Sequence, residues 1–364
     1  MGSNPIVSTS HETDCPHPLG ARPRRAHGSK YQGGVSGGNT AHSGWLAAGR
    51  PRYVMGRIWI AGEGVVGRRV ARFLADRSIG RVDPRDPGDL NALREGDALV
   101  IASGGQHAPL AAEVIARGAS VITVGDDLED CRQLLVLEEH ALSRHVSLVV
   151  GAALSPGLSG LIVRSLLPKL ASCTEVHIAM HGTAGPACAR AYHRSLSGWS
   201  PIWRDGEMVS TPGGAGRELL WFPEPVGPQD CYLAEIASPL LLHRSRPEVR
   251  RISVRRSARR RDRVTARLPM MRAPHSEGGI GALRVELRGV DLRGERVSLV
   301  RGVAEQVGTA SAAVASVFAE AVVDGLLGPG LTLAGDPVVA QQHLLRRVVA
   351  RGIRLQEYSG STEG

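Results

Sequence analysis

Gly62-Glu63-Gly64-Val65-Val66-Gly67 is the segment of this 364-residue chain whose residue types and spacing point most directly to chemistry. It follows an apolar run, Arg57 to Ala61, and opens a stretch in which Val65, Val66, Val70, Phe73 and Leu74 recur at helical spacing. In such a strand–turn–helix, Gly62 permits the tight turn, Gly64 lets the backbone approach a pyrophosphate, and Gly67 allows the helix to pack closely on the strand. The helix N-terminus then faces the phosphate charge. An acidic residue about 20 positions into the unit binds ribose hydroxyls, and Asp83, in Arg81-Val82-Asp83-Pro84-Arg85, stands at that distance. Arg81 and Arg85 are the competing reading, because guanidinium groups pair with a 2′-phosphate, so NAD and NADP both stay open. Ala102-Ser103-Gly104-Gly105 follows the run Ala98 to Ile101, and a turn there lines the same crevice. Val124-Gly125-Asp126-Asp127 ends the next run in the same way, with Asp126 or Asp127 read as a helix cap.

These motifs need a parallel sheet to bring them together. From residue 57 to about 163, strand-like runs (Ile58–Ala61, Ala98–Ala102, Val121–Val124, Val146–Val150) alternate with helical ones (Val65–Ala75, His107–Arg117, Cys131–Arg144). Alternation of that kind predicts parallel strands joined by crossover helices. The stretch from Gly67 to Asp97 is too short for two further complete strand–helix units, so the fold is compressed there. Past residue 172 the period becomes two, with Val176, Ile178 and Met180 set against His177, Ala179 and His181, and Leu283, Val285 and Leu287 set against Arg284, Glu286 and Arg288. That is the pattern of half-buried antiparallel strands. Further strands are expected at Glu218–Phe222, Arg251–Arg255 and Arg296–Val300, then helices over Thr309–Leu326, with Thr309 as N-cap, and over 337–350.

The expected architecture is α/β: a Rossmann-type parallel-sheet domain over 55–163, then a second α+β domain with a mainly antiparallel sheet over 164–308, serving substrate and dimerisation. C-terminal helices over 309–364 are expected to pack back on the first domain. Residues 1–54 show no apolar period and are read as a disordered tail, and Met55, just ahead of the first strand, is a candidate translation start.

Composition narrows the function classes. No run approaches the ~20 apolar residues of a membrane-spanning helix, the N-terminus lacks the apolar core of a secretory signal, and no membrane partner is expected. The 5 cysteines are scattered without a C-x-x-C pair, which fits a reducing cytoplasm and gives neither a disulfide framework nor a zinc ribbon. Cys173, His177, His181, Cys188 and His193 match no familiar metal spacing, so no metal is expected. The net charge of +9 suits an acidic partner, but aromatic residues are only 4%, which argues against a nucleic-acid binder built on base stacking. The dense arginine run from Arg244 to Arg263 is read as a solvated face, with a phosphate-contacting ribbon as its rival.

GEGVVG at 62–67, DALVIAS at 97–103, RGASVITVGDD at 117–127 and above all VSLVVGAALSPGLSGLI at 146–162 resemble the saccharopine dehydrogenase family. The resemblance covers about residues 57–163 well and the remainder loosely, with LLWFPEPVG at 219–227 as a further similar phrase. It implies a strand ending in Gly151 that runs through Pro156-Gly157 near a nicotinamide, a nicotinamide dinucleotide partner, and oxidation or reduction of a carbon–nitrogen bond in a small substrate. The compressed 68–96 region and the arginine run depart from the family's pattern. Hydride transfer also needs substrate orientation and a proton donor or acceptor. His181, Tyr192, Arg194 and Arg217 are the candidates for those roles, with Arg190 and His193 nearby. The rival class is a non-catalytic dinucleotide-binding protein, a sensor or assembly partner; the exposed face of the second sheet is where two copies could pair as a homodimer, and the oligomeric state stays open.

Overall fold

Four consecutive apolar residues, buried on both faces, make β1 (Ile58–Ala61), the strand at which the order of a six-stranded parallel sheet reverses. The computed structural model describes residues 56–83, 85–86 and 88–358; the expected disordered tail and the candidate start at Met55 lie outside the described residues. The other strands are β2 (Ile79–Val82), β3 (Ala98–Ile101), β4 (Ser120–Thr123), β5 (Ser147–Val149) and β14 (Gly330–Thr332), in the order β14-β5-β4-β3-β1-β2. Because β1 has β2 on one side and β3 on the other, a crevice opens beyond their carboxyl ends. Buried Asp97 fixes the opposite end, accepting hydrogen bonds from the Arg57 and Arg94 amides and from Trp59 Nε1. Only a short 3₁₀ turn at Asp89–Ala92 joins β2 to β3, which is the compression implied by the sequence.

Helix α1 (Val65–Phe73) follows β1, α2 (Ala108–Ala116) follows β3, and the helix expected over 131–144 is two, α3 (Leu128–Val136) and α4 (Glu138–Ser143). Asp127 caps α3, accepting from the Asp130 amide at 2.9 Å. Asp130 in turn accepts from the His107 and Ala108 amides, satisfying the first turn of α2 from a neighbouring helix.

After α5 (Ser159–Leu166), β6 (Leu170–His181) enters a second sheet of nine strands. Its other members are β7 (Trp199–Arg204), β8 (Glu207–Pro212), β9 (Glu218–Trp221), β10 (Pro228–Leu233), β11 (Arg251–Ser257), β12 (Ile280–Asp291), β13 (Arg296–Gln306) and β15 (Gln356–Tyr358). Only β6 and β11 run parallel; the remaining pairs are antiparallel. Helices α6 (Pro186–Ser195), α7 (Ser238–Ser245) and α8 (Arg260–Thr265) sit between its strands in sequence.

Helix α9 (Val307–Val323) is apolar or small all round and almost wholly buried, as a helix packed on every side must be. It packs on α1 and on both sheets, so one core runs from Ile60 and Val100 through Val314 and Phe318 to Ile178 and Val285. Thr309 is not its cap, contrary to expectation. β13 runs into the helix without a loop, Gln306 is the N-cap, and the Thr309 hydroxyl accepts from Arg69 instead. The helix expected over 337–350 is broken by His343, whose φ is +53°, into α10 (Pro337–Gln341) and α11 (Leu344–Ala350). Among the described residues no helix is long and apolar enough to cross a membrane.

Candidate active site

A cavity of about 1240 Å³ lies beyond the carboxyl ends of β1 to β4, with α6 and the end of β11 as its far wall. The glycine loop forms its floor, and the three motif glycines are there for different reasons. Gly62 has a φ of +116°, and a Cβ on it would sit 2.6 Å from the Ser103 amide nitrogen. A Cβ on Gly67 would lie 2.0 Å from the Gly62 carbonyl oxygen, so only glycine lets α1 start this close to β1. Gly64 has an ordinary φ of −69° and a Cβ there would meet nothing within 4 Å. Nothing inside the protein requires glycine at 64; the open space in front of it is the cradle a pyrophosphate fills. Gly64 is also the N-cap of α1, with no side chain bonded to the first-turn amides and no acidic residue in that turn. Those amides and the positive end of the helix dipole are left for an anion, so the residues present fit a dinucleotide.

Gly62, Glu63, Gly64, Val65, Val66, Asp83, Arg85, Ala102, Ser103 and Gly104 all line this cavity. Gly67 and Pro156 do not. Gly67 is consumed by packing against Gly62, and Pro156 lies behind Gly151, leaving Ser155 to face the cavity. Asp83 comes directly after β2; it accepts from the Arg85 amide, and its own amide donates to Asp89 at 2.8 Å. Arg81 and Asp89 line the same end of the cavity, placing two carboxylates and two guanidinium groups together.

At the other end, Arg256 from β11 is 5% exposed and forms an ion pair with Asp126, which follows β4. Its guanidinium lies 4.5 Å over the Tyr192 ring, and its Nε has no partner among the described residues. The Tyr192 hydroxyl donates to the Ser257 carbonyl at 2.7 Å, and burial pushes its pKa well up, so it stays protonated. Burial likewise raises the Cys188 thiol at the same wall. Arg190 and Arg194, one turn apart on α6, are exposed to the cavity, and their guanidinium groups make no hydrogen bond or ion pair among the described residues. His107 holds the β3–α2 turn through Nε2 and the Ser103 carbonyl at 2.9 Å.

Two expected catalytic residues lie elsewhere. Successive side chains of a strand point to opposite faces, so Met180 lines the cavity while His181 turns to the far face of the second sheet. There its Nδ1 meets the Ser257 hydroxyl at 2.8 Å and its ring lies beside Phe222. Arg217 precedes the edge strand β9 and pairs with Asp230 outside the cavity. The candidate metal series is dispersed, and among the described residues no three His, Cys, Asp or Glu side chains gather as a metal site. Arg256 escaped the sequence reading because it sits in an arginine run, although it is in phase with inward-facing Ile252 and Val254, an inward position where charge needs a partner.

The parallel sheet with its glycine loop, joined to a mixed and mostly antiparallel second sheet, defines a Rossmann-type α/β protein with a second α+β half. No family model and no curated protein sequence matches the chain. Its fold is similar to that of the homospermidine synthase of Legionella pneumophila, solved with NAD, at 12% identity over 85% of this chain and 93% of that one, with a TM-score of 0.63. It is similar also to apo saccharopine dehydrogenase (L-Glu forming) of Saccharomyces cerevisiae, at 12% identity over 84% of this chain and 100% of that one, with a TM-score of 0.57. The resemblance over residues 57–163 is thus matched by a likeness of fold across both halves.

Proposed function

We propose that the protein is an NAD(P)-dependent oxidoreductase acting on a small carboxylated or amino-acid-like substrate held between its two halves. The observation that carries this reading is Gly64, a glycine with no internal cause, set at an uncapped helix N-terminus on a large cleft. The likeness to a fold solved with NAD supports it. A bound nicotinamide would supply or accept the hydride. The chain's own residues do the rest: the α1 amides bind pyrophosphate, and Asp83, seconded by Asp89, meets the adenosine ribose, with Arg81 and Arg85 beside it for a 2′-phosphate. Arg190 and Arg194 bind the substrate carboxylate, since guanidinium forks match carboxylate geometry. Arg256, anchored by Asp126, sets the inner end of the substrate. The divisions at 163 and 308 belong to this reading, as do a cytoplasmic location and a homodimer through the second sheet, which light scattering tests.

Calorimetric titration with NADH and with NADPH tests the proposal, using Gly64→Asp as the control. Saturable binding lost in the control is the expected result, and the preferred dinucleotide decides between NAD and NADP. Absence of binding to either overturns the reading. A second reading, binding without turnover, is favoured by one observation: the shifts at Tyr192 and Cys188 both move those groups away from neutral pH, where an acid or base is needed. Tight binding with no turnover across a carbonyl and amino-acid panel would select it.

A further inference from the structure

The segment between β11 and β12 carries a surface that the cleft chemistry does not use. Arg259, Arg260, Arg261, Arg267 and Arg272 are exposed, and no hydrogen bond or ion pair engages their guanidinium groups among the described residues. Neighbouring Arg255, Arg256 and Arg263 are held by Glu218, Asp126 and the Gly214 carbonyl, so the free cations begin where the sheet ends. Asp262 is the only carboxylate from 258 to 272. Interleaved with these cations are Val264, Leu268, Met270 and Met271, exposed to 74, 57, 36 and 86%. A solvated charged face has no use for four large apolar side chains pointing into water.

We propose that this surface docks on an anionic phospholipid bilayer, the arginines meeting the headgroups while Val264, Leu268 and Met271 enter the interface. Both contributions are required for peripheral attachment: cations near an anionic leaflet attract, and apolar side chains buried at the acyl boundary retain. A nucleic acid would satisfy the arginines but leave the apolar side chains unmatched, and the segment has no Phe, Tyr or Trp on which bases stack. The proposal revises the sequence-based expectation of no membrane partner, which rested on the lack of a spanning helix, a different mode of attachment. It also bears on the cleft. His193 of α6 meets the Thr265 and Leu268 carbonyls through Nε2 at 3.0 and 3.2 Å, tying the docking surface to the helix that carries Arg190 and Arg194.

The experiment is flotation of the full chain with phosphatidylcholine vesicles, with and without phosphatidylglycerol, at low and high salt. Wild-type protein should float only with phosphatidylglycerol vesicles and be released by salt. Arg260→Gln with Arg261→Gln, and separately Leu268→Asp with Met271→Asp, should each lower vesicle affinity by about tenfold or more. These side chains are exposed, so unchanged thermal unfolding and dinucleotide binding will show that the variants fold. No flotation at low salt overturns the proposal, as does a Leu268→Asp/Met271→Asp variant that floats like wild type. Preference for duplex DNA or RNA over the anionic vesicles at equal salt would also overturn it, assigning the surface to nucleic acid.

Discussion

Arg256 and Asp126 form an ion pair across the cleft, tying the end of β11 in the second sheet to the end of β4 in the parallel sheet. The two partners are unequally buried: the Arg256 side chain is 5% exposed, the Asp126 side chain 27%. Removing the carboxylate strands a buried cation, whereas removing the cation leaves a carboxylate that reaches water. Asp126→Asn should therefore destabilise the protein by about 2 kcal/mol, more than Arg256→Met, at about 1 kcal/mol, part of that being the lost contact with the Tyr192 ring. Urea unfolding of both variants measures the order; equal losses would mean that the pair is solvated.

Gly64 and Gly67 should separate binding from folding. Gly64→Ala places a methyl group in open space at an ordinary φ, so stability should stay within about 1 kcal/mol of wild type or rise. Its methyl group stands where the pyrophosphate comes, and dinucleotide affinity should fall about tenfold or more. Gly67→Ala drives a Cβ into the Gly62 carbonyl and should cost about 1–3 kcal/mol. Thermal unfolding beside calorimetry tests the contrast, and a Gly64→Ala protein that binds like wild type contradicts it.

His181, absent from the cleft, gives a pH signature instead. Burial lowers its pKa, so the folded state favours neutral imidazole while the unfolded chain takes up a proton near the ordinary value of about 6.5. The unfolded state then binds more protons as pH falls below that value, and stability is lost down to the folded pKa. Burial shifts His177 and His243 the same way, so the whole chain should lose stability from pH 7 to 5. His181→Gln, which cannot titrate, should lose less over that interval in urea unfolding; an unchanged slope would show that His181 protonates freely in the fold.

The parallel sheet was legible because β1 and β3 are buried on both faces and write themselves as continuous apolar runs. β2 and β14 were not: each lies at an edge, β2 carries Gly80 and Arg81, and β14 is three residues long. The glycine loop was readable since its constraints are local, down to the packing role of Gly67. The substrate wall was not. His181 and Met180 exchange faces on a one-residue difference in phase, and Arg256 owes its place to Asp126, far away in sequence. Arg190 and Arg194 became neighbours only because Pro186 opens a helix there, and a stretch holding Cys, Ala, Tyr and His shows no clean apolar period to announce one.

That helix supports a test with its own control. Arg190 and Arg194 lie on one face of α6 against the cavity, whereas Arg217 pairs with Asp230 on an exposed edge. If the α6 pair recognises carboxylate, small carboxylates such as glutarate should raise the midpoint of thermal unfolding of the NADH-loaded protein. Arg190→Gln with Arg194→Gln should abolish that rise while leaving NADH affinity intact, since neither residue is part of the glycine loop or of the Asp83 cluster. Arg217→Gln removes an equal charge outside the cavity and should leave the rise unchanged, which separates recognition from loss of net positive charge. Should Arg217→Gln weaken the response as much as the α6 pair does, the effect would be one of overall charge, and the substrate carboxylate would have to be sought at Arg256 instead.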